Sequence, residues 1–244
     1  MRSYRFYGVI PAEQRAWLDA VESRHLSKVL RLNIGDEVQI FDGQGQLAEA
    51  QVEQIARDGV QVRILQRSHI PPKTSGRVVL AVSMAKGERF EWLVEKCTEL
   101  GADHIAAVQY HRTVKMGKQS ALERWQKIAL AAAKQSERVY LPTLSGPESF
   151  ESAVHCFRQT YPNATLLYGD PEGQWLEPGA HSPERRDWIV CIGPEGGFSK
   201  EELALLRVLN AQPVRVNPHI LRIETAAVAF TAVLSLYEHL TDAR

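Results

Sequence analysis

The sequence predicts two successive architectures: a small antiparallel β-barrel over residues 1–72, then an α/β domain with a mainly parallel sheet over 73–244. Three observations carry this. Ahead of Ser68-His69-Ile70-Pro71-Pro72-Lys73-Thr74-Ser75-Gly76 the apolar periods are short and strand-like; behind it, strand-like and helix-like segments take turns. The stretch itself has the Pro/Ser/Gly content of a linker. A chain of 244 residues has room for two domains of ordinary size.

In the first part, Glu37 to Phe41 reads as a strand, Asp42-Gly43 as a turn and Leu47 to Ile55 as the next strand. Asp58-Gly59 then turns the chain, and Val60, Val62 and Ile64 alternate with polar residues, which is the pattern of a hairpin. A short helix near His25 to Leu32 precedes them. In the second part Arg77 to Met84 is a strand. Phe90, Leu93, Val94, Cys97 and Leu100 fall at helical spacing, with Gly101 at the stop. Ile105 to Tyr110 is a strand, and Ser120-Ala121-Leu122-Glu123 has capping-box spacing ahead of a helix through Trp125, Ile128, Ala129 and Ala132. Ala164 to Tyr168 and Trp188 to Ile192 are short buried strands. Ser199-Lys200-Glu201-Glu202 is a second capping box, and Pro213 to Val216 is the last strand. The closing helix, from about Thr225 to Leu240, carries Ala226, Val228, Phe230, Val233 and Leu236 on nearly every face. That pattern predicts burial, in part against a second subunit.

Composition narrows the function classes. With 44% hydrophobic and 24% charged residues the chain is globular rather than disordered. No apolar run reaches membrane-spanning length, and Met1-Arg2-Ser3-Tyr4-Arg5 leads into no signal-like segment, so no membrane is expected. Cys97, Cys156 and Cys191 are odd in number and scattered among apolar residues, as expected of reduced thiols in a cytoplasmic protein. The net charge is zero, but it is unevenly spread. Lys73 to Leu144 holds 12 Lys+Arg against 7 Asp+Glu, and Ser145 to Arg244 holds 8 against 13. A basic middle suits phosphate contact.

Gly43-Gln44-Gly45-Gln46-Leu47-Ala48 has the letters of a dinucleotide fingerprint. That motif requires a helix next, whereas Ala48, Ala50 and Val52 alternate as a strand does, so the segment is a hairpin turn. His104 and His111 have no cysteine or carboxylate at metal-ligand spacing, and no metal is expected. No nucleophile elbow is present. Two stretches are chemically informative. In Ile192-Gly193-Pro194-Glu195-Gly196-Gly197-Phe198-Ser199 a buried strand runs into a glycine-rich loop and then a capped helix. Glycines let backbone approach a ligand, and open α/β sheets bind ligands at the carboxyl ends of their strands. It is no phosphate-binding Walker loop, since no Gly-Lys-Ser/Thr follows. In Val216-Asn217-Pro218-His219-Ile220-Leu221-Arg222-Ile223-Glu224-Thr225-Ala226 another strand ends, and Arg222 and Glu224 flank an apolar residue where a buried helix begins.

These two stretches resemble the bacterial ribosomal RNA small subunit methyltransferase E family of the SPOUT superfamily. The likeness extends to Lys86-Gly87-Glu88-Arg89-Phe90-Glu91-Trp92 with Glu95-Lys96-Cys97-Thr98-Glu99-Leu100-Gly101, and to Gln135-Ser136-Glu137-Arg138. His25-Leu26, Val29-Leu30-Arg31, Gly35-Asp36 and Phe41-Asp42-Gly43 look like that family's PUA-like barrel. One departure is Val216-Asn217-Pro218-His219, where the family commonly has Leu-Gly-x-Arg, so no role carries over to His219.

The resemblance implies a PUA-like RNA-binding barrel, a SPOUT domain with a deep trefoil knot, and a homodimer. It implies methylation of a uridine N3 in 16S ribosomal RNA, free or within the small ribosomal subunit, with S-adenosyl-L-methionine as donor. Tyr168, Gly169, Gly193, Gly196, Gly197, Ile220, Leu221, Ile223 and the Thr225 hydroxyl are the expected cofactor contacts. Arg222 is expected to steady the uracil anion, with Glu195 or Glu224 as the base. Arg2, Arg5, Lys28, Arg31, Arg112 and Arg138 are the expected RNA contacts. Two rivals stand beside this reading: an RNA-binding protein without catalysis, which has no need of the glycine loop, and a nucleotide-binding enzyme using the loop for phosphate, which the missing Lys-Ser/Thr disfavours.

Overall fold

A computed structural model describes residues 4–85, 87–114, 121–177 and 186–242. The chain divides into two compact units: residues 1–72 with 133–141, and residues 73–132 with 142–244.

The first unit is a five-stranded mixed sheet of order β1-β3-β4-β5-β2, built from β1 (Tyr4–Tyr7), β2 (Arg15–Leu18), β3 (Glu37–Phe41), β4 (Gln46–Ile55) and β5 (Val60–His69). β1 runs parallel to β3; the remaining pairs are antiparallel. Register shifts between Glu49 and Ala50 and between Val52 and Gln54 bend the β4–β5 ribbon, so the sheet curls. Its inner face buries Phe6, Val38, Ile40, Val52 and Val62, closed off by Leu26. The helix expected near His25 begins earlier: α1 (Ala20–Arg24) is capped by Asp19, whose carboxylate accepts the Glu22 N–H at 2.7 Å. A π-helical turn, His25–Leu30, follows and ends at Arg31 in the left-handed conformation. Strands β1 and β2 were not anticipated. The glycines of the pseudo-fingerprint are structural. A Cβ on Gly45 would fall 2.2 Å from the Tyr140 hydroxyl, and one on Gly43 2.8 Å from Leu141. Residues 139–141 run along this turn, with Leu141 N–H donating to the Gly43 carbonyl at 3.0 Å.

The second unit is a six-stranded sheet in which every pairing is parallel, of order β11-β9-β10-β6-β7-β8. Its strands are β6 (Val78–Ser83), β7 (His104–Gln109), β8 (Thr143–Ser149), β9 (Thr165–Trp175), β10 (Trp188–Ile192) and β11 (Gln212–Arg215). The helices are α2 (Arg89–Glu99), α3 (Ala121–Gln135), α4 (Phe150–Thr160), α5 (Lys200–Val208) and α6 (Ile223–Asp242). Ser120, the expected cap of α3, lies outside the described residues. β6 and β10 are buried at every position because helices cover both faces. Val78, Leu80 and Val82 meet Leu93 of α2 and Phe230 of α6; Val79 and Ala81 meet Phe157 of α4 and Leu206 of α5.

The closing helix is less uniformly buried than its composition suggests. Ala227, Phe230 and Leu234 pack in the core, while Leu236 and Leu240 are 60% and 56% exposed. Among the described residues, no helix is long and apolar enough to cross a membrane.

Ion pairs and hydrogen bonds brace the amino edge of the parallel sheet. Arg77 grips Asp187 through Nε at 3.0 Å and Nη2 at 2.7 Å. His104 lies buried between the Tyr161 hydroxyl at 3.3 Å and Ser145 Oγ at 2.9 Å. Burial pushes this imidazole down from 6.5 to about 4. The unfolded chain therefore takes up a proton that the native state refuses, so stability is full above pH 6.5 and falls as pH drops from 6.5 towards 4. The loss should approach about 3 kcal/mol. Urea midpoints measured between pH 7 and 4 should fall less in His104→Gln than in the unsubstituted chain; equal slopes would remove His104 as the cause.

Candidate active site

Because every strand of the second sheet runs the same way, the loops after β6, β10 and β11 emerge at one edge together with the Gly169-Asp170-Pro171 segment of β9. The β9 segment and the loops after β10 and β11 line a cavity of about 510 Å3. Its apolar walls include Ile192, Val214, Leu221, Ile223 and Phe230, and its polar groups include Asp170, Glu195, Asn217 and Arg222.

Of the residues expected around a cofactor, Gly169, Gly193, Gly197, Ile220, Leu221 and Ile223 line this cavity. Tyr168, Gly196 and Thr225 are not among its lining residues. Strand alternation explains Tyr168: Leu167 points to one core and Tyr168 to the other, where its ring stands edge-on to Phe198 at 5.6 Å. Phe198 in turn lies flat against Gly193, where an added Cβ would come within 2.9 Å of the ring. The left-handed residue of the loop is Gly197, with φ +74°, and its N–H closes a turn onto the Pro194 carbonyl at 2.8 Å. Gly196 has no such backbone demand. A Cβ there meets only Arg112, at an ordinary 3.5 Å, so glycine at 196 is not what keeps the loop open.

The two candidate bases, Glu195 and Glu224, share a partner to which the sequence assigned no role. Arg89, at the start of α2, places Nη1 3.6 Å from Glu195 Oε1 and Nε 3.8 Å from Glu224 Oε1. One guanidinium thus links the start of α2, the glycine loop and the first turn of α6. Glu195 is exposed and lines the cavity. Glu224 is buried, does not line it, and sits where a helix N-terminus favours a carboxylate. Arg222 is exposed on the cavity wall, and no carboxylate among the described residues lies within ion-pair distance of it. The available signal for Arg89 was a charged residue at a strand-to-helix turn on the same sheet edge as the glycine loop. Its partners, more than 100 positions away, were not legible.

The expected RNA contacts separate. Arg2 lies outside the described residues. Arg5 is half-buried and committed: Nε and Nη2 donate to Gln39 Oε1 at 3.1 and 2.8 Å, and Nη1 to the Glu137 and Arg138 carbonyls. Arg5 is therefore a structural residue of the first unit. Arg138 is partly buried and also engaged. Arg112 is exposed, but its Nη1 donates to the Gly196 carbonyl at 2.7 Å. Lys28 and Arg31 are exposed, and Lys28 shares a groove with Arg24 and Arg57, between α1 and the β4–β5 turn. Among the described residues, no cluster of three or more His, Cys, Asp or Glu is placed to hold a metal ion.

Comparison with known proteins bears on what this edge does. The family model described as RNA methyltransferase domain matches residues 72–235, and the one described as RNA methyltransferase PUA domain matches residues 18–65. The chain is 34% identical over 224 residues to the ribosomal RNA small subunit methyltransferase E of Mycobacterium bovis, covering 89% of this chain and 85% of that one. A methyltransferase of Legionella pneumophila, solved with its bound cofactor SAM, superposes with a TM-score of 0.84 at 27% identity, over 97% of this chain and 98% of the other. The Neisseria gonorrhoeae ribosomal RNA small subunit methyltransferase E, solved with S-adenosylmethionine, gives 0.85 at 24%, over 97% and 98%. A non-catalytic RNA-binding protein would leave the cavity and these matches without a reason; by them the chain belongs to the ribosomal RNA small subunit methyltransferase E family.

Proposed function

We propose that the protein methylates N3 of a uridine in 16S ribosomal RNA with S-adenosylmethionine, acting as a homodimer with the trefoil threading expected of its superfamily. The observation that carries this is the cavity at the carboxyl edge of the parallel sheet, bounded by the glycine loop and the 216–223 segment. Its size falls in the range of small-molecule sites, roughly 300–1,000 Å3. Its apolar walls suit an adenosine, and its few polar groups suit the amino-acid end of the cofactor. S-adenosylmethionine supplies an electrophilic methyl carbon on a sulfonium.

The residues of the chain do the rest. Uridine N3 lies on the Watson–Crick edge, so the base must enter unpaired. Its N–H is a poor nucleophile until the proton leaves. Glu195 lines the cavity and is the acceptor; Glu224, held away from it, anchors Arg89. Arg222 faces the charge that develops on the uracil ring. Replacing Arg222 with Ala should cut turnover about 100-fold or more, with cofactor affinity by calorimetry changed less than about threefold. Loss of cofactor binding in that variant would make Arg222 a cofactor residue. Failure of the unsubstituted chain to bind S-adenosylmethionine would overturn the proposal.

The exposed Leu236 and Leu240, one turn apart on α6, are where a second copy packs. Sedimentation should give a dimer that Leu236→Glu with Leu240→Glu converts to monomer; an unaltered dimer would place the interface elsewhere.

RNA phosphates lie along the groove of Arg24, Lys28 and Arg57. Lys28→Ala with Arg57→Ala should weaken RNA binding and flatten its logarithmic salt slope by about 1.5, near 0.7–0.9 per phosphate contact, with cofactor affinity unchanged. An unchanged slope would clear the groove of that role.

A further inference from the structure

We infer that Glu202, the carboxylate of the α5 capping box, is a positioning residue for the cofactor cavity, because it holds the loop after β7 against the glycine loop. The inference rests on the S-adenosylmethionine reading of that cavity.

A capping box accounts for only half of what this side chain does. Ser199 N–H donates to Glu202 Oε2 at 2.7 Å, and Glu202 N–H donates to Ser199 Oγ at 3.2 Å, which completes the reciprocal cap. The other oxygen, Oε1, accepts the His111 N–H at 2.7 Å. His111 follows β7, and β7 is not a neighbour of β10: β6 lies between them. The bond therefore spans a whole strand of the sheet. Glu202 is only 4% exposed, although a capping glutamate works equally well in solvent. Burying a carboxylate is unfavourable unless its oxygens are satisfied, and here both are filled by backbone N–H groups.

The segment that Glu202 holds reaches back to the cavity. Its ends are fixed by Tyr110, whose hydroxyl donates to the Ala81 carbonyl at 2.8 Å, and by Thr113, whose Oγ1 accepts the Tyr110 N–H at 2.9 Å. Between them, Arg112 extends to the Gly196 carbonyl at 2.7 Å. Within the glycine loop Phe198 packs on Gly193, and Arg112 reaches the loop from a neighbouring segment at the Gly196 carbonyl. Removing the Glu202 Oε1 contact takes away the hydrogen bond that holds the His111 N–H and releases the arm that fixes Gly196.

Three full-length variants separate positioning from helix capping. Ser199→Ala breaks the cap and spares the bond to His111. Glu202→Gln keeps volume but sets an amide NH2 against one of two N–H donors. Arg112→Ala removes the arm alone and keeps a test available should Glu202→Gln fold poorly. Cofactor affinity by calorimetry and amide exchange in 110–114 and 193–198 are measured beside melting temperature. Glu202→Gln and Arg112→Ala should each weaken S-adenosylmethionine binding about tenfold and speed exchange in the glycine loop. Ser199→Ala should lower the melting temperature while leaving affinity within about twofold. If Glu202→Gln and Ser199→Ala lower melting equally and leave affinity and loop exchange unchanged, Glu202 only caps its helix. If the unsubstituted chain does not bind S-adenosylmethionine, the reading of the cavity fails, and the exchange measurement alone still decides whether Glu202 holds the loop.

Discussion

A sheet whose strands all run in one direction delivers every carboxyl end to the same edge, and that constraint organises the second unit. It calls for long crossovers, most of them helical here, and the helices bury both faces. This is why β6 and β10 read as unbroken apolar runs rather than alternating ones. It also brings together segments distant in sequence, around residues 89, 112, 195 and 222. The cavity follows from the sheet order as much as from the residues that line it.

The two edges of this sheet are built differently. At the amino edge, contacts are short and partly redundant: Arg77 donates three hydrogen bonds to Asp187, Asp103 accepts the Val78 N–H at 2.9 Å, and His104 is held neutral by burial. At the carboxyl edge, the ion pairs of Arg89 are 3.6 and 3.8 Å long, beyond hydrogen-bond reach, and Arg89 and Glu195 are both substantially exposed. Exposed, loosely held charges contribute little to stability. They can, however, rearrange at low cost when a base and a cofactor arrive, which a chemically active edge requires.

Local chemistry was the legible part of this fold. The strand at Trp188 to Ile192, the Ser199–Glu202 capping box, the hairpin at Asp58-Gly59 and the hairpin reading of Gly43–Ala48 each depend on residues within one turn or one strand. β8 and α4 were missed because Gly146-Pro147 punctuates the strand and reads as a loop, and β1 and β2 because four residues carry too little period. In the candidate site the two stretches singled out in the sequence border the cavity, but their local geometry was not legible. The sequence could not tell that positive φ falls on Gly197 rather than Gly196, since either glycine accepts it. Nor could it tell that Arg5 is consumed by Gln39 and the 137–138 carbonyls, because charge alone does not reveal a buried partner.

The same limit hid Arg89 and Glu202, and the reason is physical. A charged side chain on a strand-to-helix turn looks like a solvated end or a cap, and both residues do stand at helix starts. What gives each a second role is a partner brought close by topology: Glu195 and Glu224 for Arg89, the His111 backbone for Glu202. Each tie joins loops from strands that are not adjacent in the sheet or not adjacent in the chain. The short Glu202 tie holds together loops that packing alone does not reach. The glycine loop has little side-chain volume to pack, and its open backbone is what admits a ligand. A loop made of glycines for the sake of access must be held from outside, by groups that reach it from the neighbouring loops.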